Sequence, residues 1–461
     1  MNRREFLKTS LLAAAGAPLG AKAWEKAKPP FDPSEDWPRQ DWLDGYRWND
    51  FIHVKPSAQL VDAHTVALVW RTRDIATGWA FVSQDGGATW RRVWSQTDGI
   101  CDINTTFHQA VFRDYDPTKP LQYRVASRPI ADRSRWGNVR YSGETLPEGA
   151  LAGYYIDQKA YKALVAQRKE KYQGEEFVEE GAVAAIDPGD FTVAMLNDIH
   201  HGIPRYPKLL DLAPEKLALI AFCGDICDHS RSTEDFDCFL AAPMSYASRR
   251  CHALTRFVRG NHETMGLYAG EVRRHCALQE NALYGATTIG DTRLVFLDTG
   301  NVGADDEFAW TQNYYGMDEY IAREADWLKR EVVSPEWKRA KRRIAFAHIP
   351  PNLYRDVSEG KGKDRKTVRR RAENRMNGLY EAFSDAGLTL LLAGHNHTPL
   401  FIPASAEYPY PMAIGGGPSD SKDKKGGLGS ISTLTAANVT AKGVRVTQKT
   451  LEGELVFDVT V

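Results

Sequence analysis

Five short apolar runs in this chain each end in side chains that bind cations or move protons. Phe191 to Leu196 runs into Asn197-Asp198-Ile199-His200, and Leu217 to Phe222 runs into Cys223-Gly224-Asp225. Ala253 to Val258 is followed by Arg259-Gly260-Asn261-His262-Glu263, Arg343 to Ala347 by His348, and Leu388 to Ala393 by Gly394-His395-Asn396-His397. A short apolar run broken by Gly or Asp suits a buried parallel strand, and open α/β sheets present ligands at the carboxyl ends of such strands. One Gly-Asp alone would be explained by a turn. Five strand ends in chain order, each offering Asp, Asn or His, point instead to one shared site.

The donors Asp198, His200, Asp225, Asn261, His348, His395 and His397 mix carboxylate, imidazole and amide oxygen, with no thiolate. That mixture suits first-row metals such as Fe, Zn or Mn better than Ca, which prefers oxygen throughout. Seven donors exceed what one ion with an open position needs. Two ions fit better, bridged by a carboxylate at a separation of about 3.5 to 4 Å. Asp225 stands mid-set and is the natural bridge. Such a pair turns a shared water into hydroxide near neutral pH and clamps two oxygens of a phosphoryl group for in-line attack.

The order Asp-x-His, Gly-Asp-x-x-Asp, Gly-Asn-His-Glu, lone His and Gly-His-x-His, from Asp198 to His397, resembles the calcineurin-like metallophosphoesterase superfamily. The resemblance implies one metal on Asp198, His200, Asp225 and His397, and the other on Asp225, Asn261, His348 and His395. It implies that His262 is the general acid that protonates the leaving alkoxide, with Asp225 and Asn261 at the reaction centre. Arg259 matches the phosphate-contacting arginine of the protein-phosphatase branch, whose Arg-Gly-Asn-His-Glu is reproduced in full. That branch carries Arg directly after Gly-Asp-x-x-Asp, whereas this chain has His229. A protein phosphatase is therefore not implied, and His229 joins Arg259 and Asn261 as an expected substrate contact.

The layout is also similar to that of purple acid phosphatases, with two departures. Where that family carries a Tyr ligand three residues after the bridging Asp, this chain has Asp228. It also has His200, a ligand that the purple enzymes lack, so no tyrosinate charge-transfer colour is expected. The implied activity is hydrolysis of a small phosphomonoester or phosphodiester by metal-activated hydroxide. A nucleotidase or cyclic-nucleotide phosphodiesterase is the enzymatic alternative, with Tyr314, Tyr315, Tyr408 and Tyr410 available to stack a base. A non-catalytic envelope or polysaccharide-binding protein would be expected to have lost site ligands, and none is lost.

These residues need elements to hold them. The expected fold class is α/β, an αββα sandwich of two mixed sheets over residues 184–461, preceded by a small all-β immunoglobulin or fibronectin-III-like domain. Short strand-like runs from Thr65–Trp70 to Leu121–Ala126, separated by turns such as Asp85-Gly86-Gly87, place that domain at 57–150. Residues 24–56 read as a Pro- and Trp-rich lead-in, and 151–183 as a helical connector. Arg355 to Arg375 is a basic insertion, read as a solvated loop and helix start, with a flap over an anionic substrate as the rival.

Asn2-Arg3-Arg4-Glu5-Phe6-Leu7-Lys8, a short apolar stretch and Ala21-Lys22-Ala23 match a twin-arginine signal over residues 1–23. The expectations are export through the twin-arginine machinery, a periplasmic or secreted location, and no membrane span once the signal is removed. The full 461 residues carry 59 Lys+Arg against 60 Asp+Glu, a formal net charge of -1, which does not suit a protein that coats nucleic acid. Six cysteines at 101, 223, 227, 238, 251 and 276 match no thiolate metal motif. Cys223 reads as a small buried apolar residue.

Overall fold

The apolar runs fold as strands of two facing sheets. The computed structural model describes residues 50–102, 105–130, 175–228, 230–300, 316–351, 376–424 and 426–461. It also describes residue 305, scattered positions between 163 and 171, and the backbone of 354–359 and 366–371. The signal sequence, most of the expected connector helix, His229, Tyr314 and Tyr315 lie outside these residues.

In the first sheet Phe191–Leu196, Leu217–Cys223 and Leu254–Val258 are parallel neighbours. Every residue of these strands is buried, which is why they read as unbroken apolar runs rather than alternating ones. In the second sheet Thr292–Phe296, Arg342–Ala347, Leu390–Ala393 and Met412–Ile414 run parallel, flanked by antiparallel Gly285–Ile289 and Leu400–Ile402. Met195, Ala221, Cys223 and Val258 from one sheet share a buried cluster with Phe296, Phe346, Leu392 and Ala413 from the other. The outer face of the second sheet is covered by helices Met317–Glu331 and Asn377–Ser384. Met317, Ile321, Ala325 and Leu328 form the buried stripe of the longer one, at the spacing a helix needs to turn one face inward. The helix Ala242–Cys251 packs on the first sheet. The layers are those of an αββα sandwich, and an all-β region precedes them.

That region has the two sheets expected of it. Val54–Asp62, Thr65–Arg71 and Phe107–Phe112 form one, and Arg91–Trp94, Ala76–Ser83, Leu121–Pro129 and Phe177–Val183 form the other. Trp70, Ala80, Val82, Tyr123 and Val125 belong to the core between them. Two features were not expected. Strand Val54–Asp62 pairs in parallel with Leu254–Val258 at Gln59↔Thr255, so one sandwich sheet continues the catalytic sheet into nine strands. The buried Arg256 pins this seam by donating to the Leu60, Ala277 and Leu283 carbonyls. In addition, Phe177–Val183 falls within the stretch read as connector, yet it is the sandwich's edge strand against Leu121–Pro129. Glu179 and Glu180 gave it a charged, helix-like look, but Arg124 on the neighbouring strand pairs with Glu180 and Lys55 from the other sheet pairs with Glu179.

The basic insertion corrects the loop-and-helix reading. Tyr354–Glu359 and Lys366–Arg371 pair as an antiparallel hairpin centred on Val357↔Val368, where β-branched residues favour strand. All six cysteines are free. Among the described residues no helix is long and apolar enough to cross a membrane.

Candidate metal centre

The loops that leave the strand ends turn sharply. Asp198, His200, Asp225, His395 and His397 all have positive φ, between 45° and 72°. This left-handed backbone costs a side-chain-bearing residue roughly 1 kcal/mol or more, and such residues collect where function fixes the geometry. Bonds between the loops offset the cost. The Asp198 and His200 amides donate to the carbonyls of Gly224 and Asp225 at 2.9 and 3.0 Å. The His395 amide and Asn197 Nδ2 donate to Asp198 Oδ2 at 2.8 and 2.6 Å. Glycine is required where loops meet: a Cβ on Gly260 would lie 2.3 Å from both Asp225 N and Oδ1.

The turns bring two groups of donors together. Asp198, His200, Asp225 and His397 each offer an atom within 4.8 Å of the others, as do Asp225, His348 and His395. Asp225 belongs to both. Asn261 Oδ1 joins the second group, 3.2 Å from His348 Nε2 and 3.0 Å from His395 Nδ1. All seven residues read from the sequence as donors therefore converge.

The donor atoms also stand at the separations that ligands of one cation take. His200 Nε2 is 3.2 Å from His397 Nε2, which is 3.1 Å from Asp198 Oδ1. That carboxylate oxygen is buried and has no hydrogen-bond partner among the described residues. The Nδ1–H of His348 is spent on the Cys223 carbonyl at 2.9 Å, so Nε2 confronts Asp225 Oδ2 at 3.2 Å. With metal–ligand bonds of about 2.1 Å, neighbouring ligand atoms stand roughly 3.0 Å apart at right angles and roughly 3.4 Å at tetrahedral angles. The distances from 3.0 to 3.2 Å fit that spacing, and the donor types fit a borderline metal. The residues present thus fit a pair of ions sharing Asp225.

The electrostatics agree. Burial alone would lower the His348 imidazole, but the Asp225 and Asp198 carboxylates outweigh it and lift it to about 10. His395 is pushed down to about 4 by burial and by His348. The carboxylates therefore favour positive charge at His348, and a bound metal would take the place of that proton.

Residues with no assigned part hold the rest in place. Glu263 is fully buried, and its carboxylate accepts the amides of Asp225, Ile226, Cys227 and Gly260 at 2.7 to 3.0 Å. It locks the Asp225 turn to the Asn261 loop. Asp228 Oδ1 accepts from His200 Nδ1 at 2.5 Å, which directs His200 Nε2 inward. The Asp228 carbonyl accepts from His262 Nδ1 at 2.9 Å, which leaves His262 Nε2 on the Asp225 side, 3.8 Å from Oδ2. Both signals stood in the motifs Gly-Asp-x-x-Asp and Gly-Asn-His-Glu. The floor of the site is buried Asp198, Asp225 and His348, while His262, His397 and Asp228 form its more open side.

Arg259, expected as a phosphate contact, is paired with a carboxylate. Its Nε and Nη2 lie 3.0 and 2.9 Å from the two Asp298 oxygens, so its fork is occupied by a carboxylate that also accepts from the Tyr320 hydroxyl. Asp298 follows strand Thr292–Phe296, a sixth apolar run ending in a carboxylate, and the same reading could have found it. Of the tyrosines read as available to stack a base, Tyr314 and Tyr315 lie outside the described residues. Tyr410 is buried with its ring edge-on to Phe383, and Tyr408 packs on the same core.

Comparison with known proteins places this geometry. Residues 191–399 match the family model of the calcineurin-like phosphoesterases. Among solved structures, a purple acid phosphatase, PPD1, from yellow lupin (Lupinus luteus) seeds is similar at 10% identity, over 88% of this chain and 74% of that chain, with a TM-score of 0.53. PhoD is similar at 12% identity, over 90% of this chain and 94% of that chain, with a TM-score of 0.52. At such identities the likeness speaks for the fold alone. No curated protein matches the sequence significantly. Residues 191–399 accordingly form a calcineurin-like phosphoesterase domain, which supports a metal-dependent phosphoesterase activity, and an all-β region precedes it.

Proposed function

We propose that the protein is an exported phosphohydrolase that cleaves phosphomonoesters or phosphodiesters at two metal ions of the Fe, Zn or Mn class. One ion would be held by Asp198, His200, Asp225 and His397, the other by Asp225, Asn261, His348 and His395. The observation that carries the reading is the pair of His/Asp groups sharing one buried carboxylate. When bound, the ions supply Lewis-acid polarisation of a water and neutralisation of the phosphoryl charge. The chain's own residues do the rest. Asp228 orients His200, and Glu263 keeps the Asp225 turn rigid. His262, anchored through Nδ1, holds at Nε2 the proton that the leaving oxygen needs. Export rests on the twin-arginine pattern at Asn2–Lys8 and the small-residue site at Ala21–Ala23.

Asp225→Asn tests the reading. Removing the shared carboxylate should lose bound metal and abolish hydrolysis of nitrophenyl phosphate and bis-nitrophenyl phosphate together. Full metal content with undiminished hydrolysis in that variant contradicts it. The ratio of the two rates in the parent protein decides between monoesterase and diesterase. Export is tested by changing Arg3 and Arg4 to Lys, which should leave the precursor unprocessed; normal processing would argue against it.

A further inference from the structure

The loop Arg259–Met265 has two sides. Asn261 faces the donor cluster, whereas Arg259 and Thr264 belong to the wall of a separate cavity of about 500 Å³. That volume is of the order that holds a small organic ligand. None of the seven metal-cluster residues lines it.

The wall is unusual in charge. It contains three guanidinium groups, Arg259, Arg273 and Arg323, and no carboxylate among the described residues. Arg259 is neutralised by Asp298. Among the described residues Arg273 is held by neutral acceptors, the main-chain and side-chain oxygens of Asn281. Arg323 has Glu319 at 3.9 Å, a solvent-exposed pair one helical turn apart that neutralises little. Among the described residues, two positive charges thus stand over the cavity without a close counter-charge.

The remainder of the wall is apolar. Leu283, Met317 and Tyr320 line it, and so does Leu267, which is 87% exposed. Next to it Tyr268 is 41% exposed. Two neighbouring large apolar side chains are thus exposed at the cavity's edge, where an apolar body could cover them.

We propose that this cavity is a leaving-group subsite, selecting phosphoesters whose organic part combines an apolar body with a second anionic group. The inference rests on the phosphohydrolase reading above, because the phosphoester must sit at the Asp225 cluster while the rest of the molecule passes the Arg259–Met265 loop. Arg273 and Arg323 take the distal anion, and Leu267, Leu283 and Tyr320 take the body. The guanidinium fork suits carboxylate or phosphate in that distal position.

The test is a series of carboxyaryl alkyl phosphates of increasing linker length, each paired with its methyl ester, given to the metal-loaded protein and to the double variant R273A/R323A. At one linker length the carboxylate should exceed its ester in kcat/KM by at least about tenfold, the factor expected of one charge-assisted contact. In the double variant the ratio should fall towards one. Equal cleavage of acid and ester at every length, or a ratio indifferent to the double variant, overturns the subsite while leaving the hydrolase intact. A faster turnover of nitrophenyl phosphate on adding the free carboxyaryl alcohol would make the cavity an effector site and also overturn the assignment. No hydrolysis of any ester by metal-loaded protein would instead remove the phosphohydrolase reading, and the subsite with it.

Discussion

Asp228→Asn separates holding the metal from moving the proton. The Asp228 carboxylate takes the His200 Nδ1 proton at 2.5 Å, and that bond is the largest influence holding its carboxyl below the usual range. An asparagine keeps an oxygen acceptor in place and loses only the charge. A charge-assisted bond contributes about 1.5 to 3 kcal/mol when desolvated. The Asp228 side chain is 36% exposed, so screening reduces this to roughly 1 to 1.5 kcal/mol. The expected result is a loss of about five- to fifteenfold in metal affinity at the Asp198, His200, Asp225 and His397 group. His262 Nδ1 donates at 2.9 Å to the Asp228 main-chain carbonyl, which the substitution leaves alone, while the carboxylate it removes lies further off, 3.9 Å from the same nitrogen. Hydrolysis at saturating metal should therefore change by less than about threefold. Chelator-competition titration gives the affinity, and initial rates at saturating metal give the second quantity. Unchanged affinity with a collapse in the saturated rate would refute the reasoning, since Asp228 would then be acting on the proton donor.

Three other perturbations follow from the same geometry. His262→Ala should keep its metal and slow esters with poor leaving groups most, by about 10²- to 10⁴-fold, with nitrophenyl esters spared; an equal loss for all leaving groups would count against a general acid. Gly260→Ala would drive a Cβ to 2.3 Å from Asp225 N and Oδ1, so metal content and activity should both fall, and retention of both would show that the loop has slack. His108 is buried beside Trp70, and burial, aided by Arg71, holds it down to about 3. Its folded pKa lies below the unfolded value of about 6.5, so the unfolded chain binds the extra proton and stability falls as pH drops from about 6.5 towards 3. The slope is at most about 1.4 kcal/mol per pH unit, and His108→Gln should remove that share of it in denaturant melts at pH 7 and 4.5; an unchanged slope would contradict the assignment.

The site was legible because its chemistry interrupts the apolar pattern. Asp198, Asp225, Asn261, His348 and His395 each stand where the buried end of a strand stops, and no packing requirement places such side chains there. The supporting residues were harder to read. Glu263 and Asp228 lie inside the motifs, but their work is done through backbone amides, a carbonyl and the far side of an imidazole, which one-dimensional spacing does not reveal. The pairing of Arg259 with Asp298 was not legible, because Asp298 lies 39 residues further on, at the end of a strand in the other sheet. The union of the sandwich with the catalytic sheet depends on Gln59 meeting Thr255, a pairing between segments that local pattern cannot connect. Phe177–Val183 and the hairpin at 354–371 were hidden by charge, which suits a helix or an edge strand equally until the partner strand is known.

The central claim is that two ions share Asp225, and counting them is the most direct test. Metal analysis of the purified mature protein, with nitrophenyl phosphate hydrolysis followed before and after chelation, should give two ions per chain and turnover that disappears with the metal and returns when it is restored. A protein that binds no metal when supplied with Fe, Zn and Mn, or that hydrolyses equally well after complete chelation, would contradict the account.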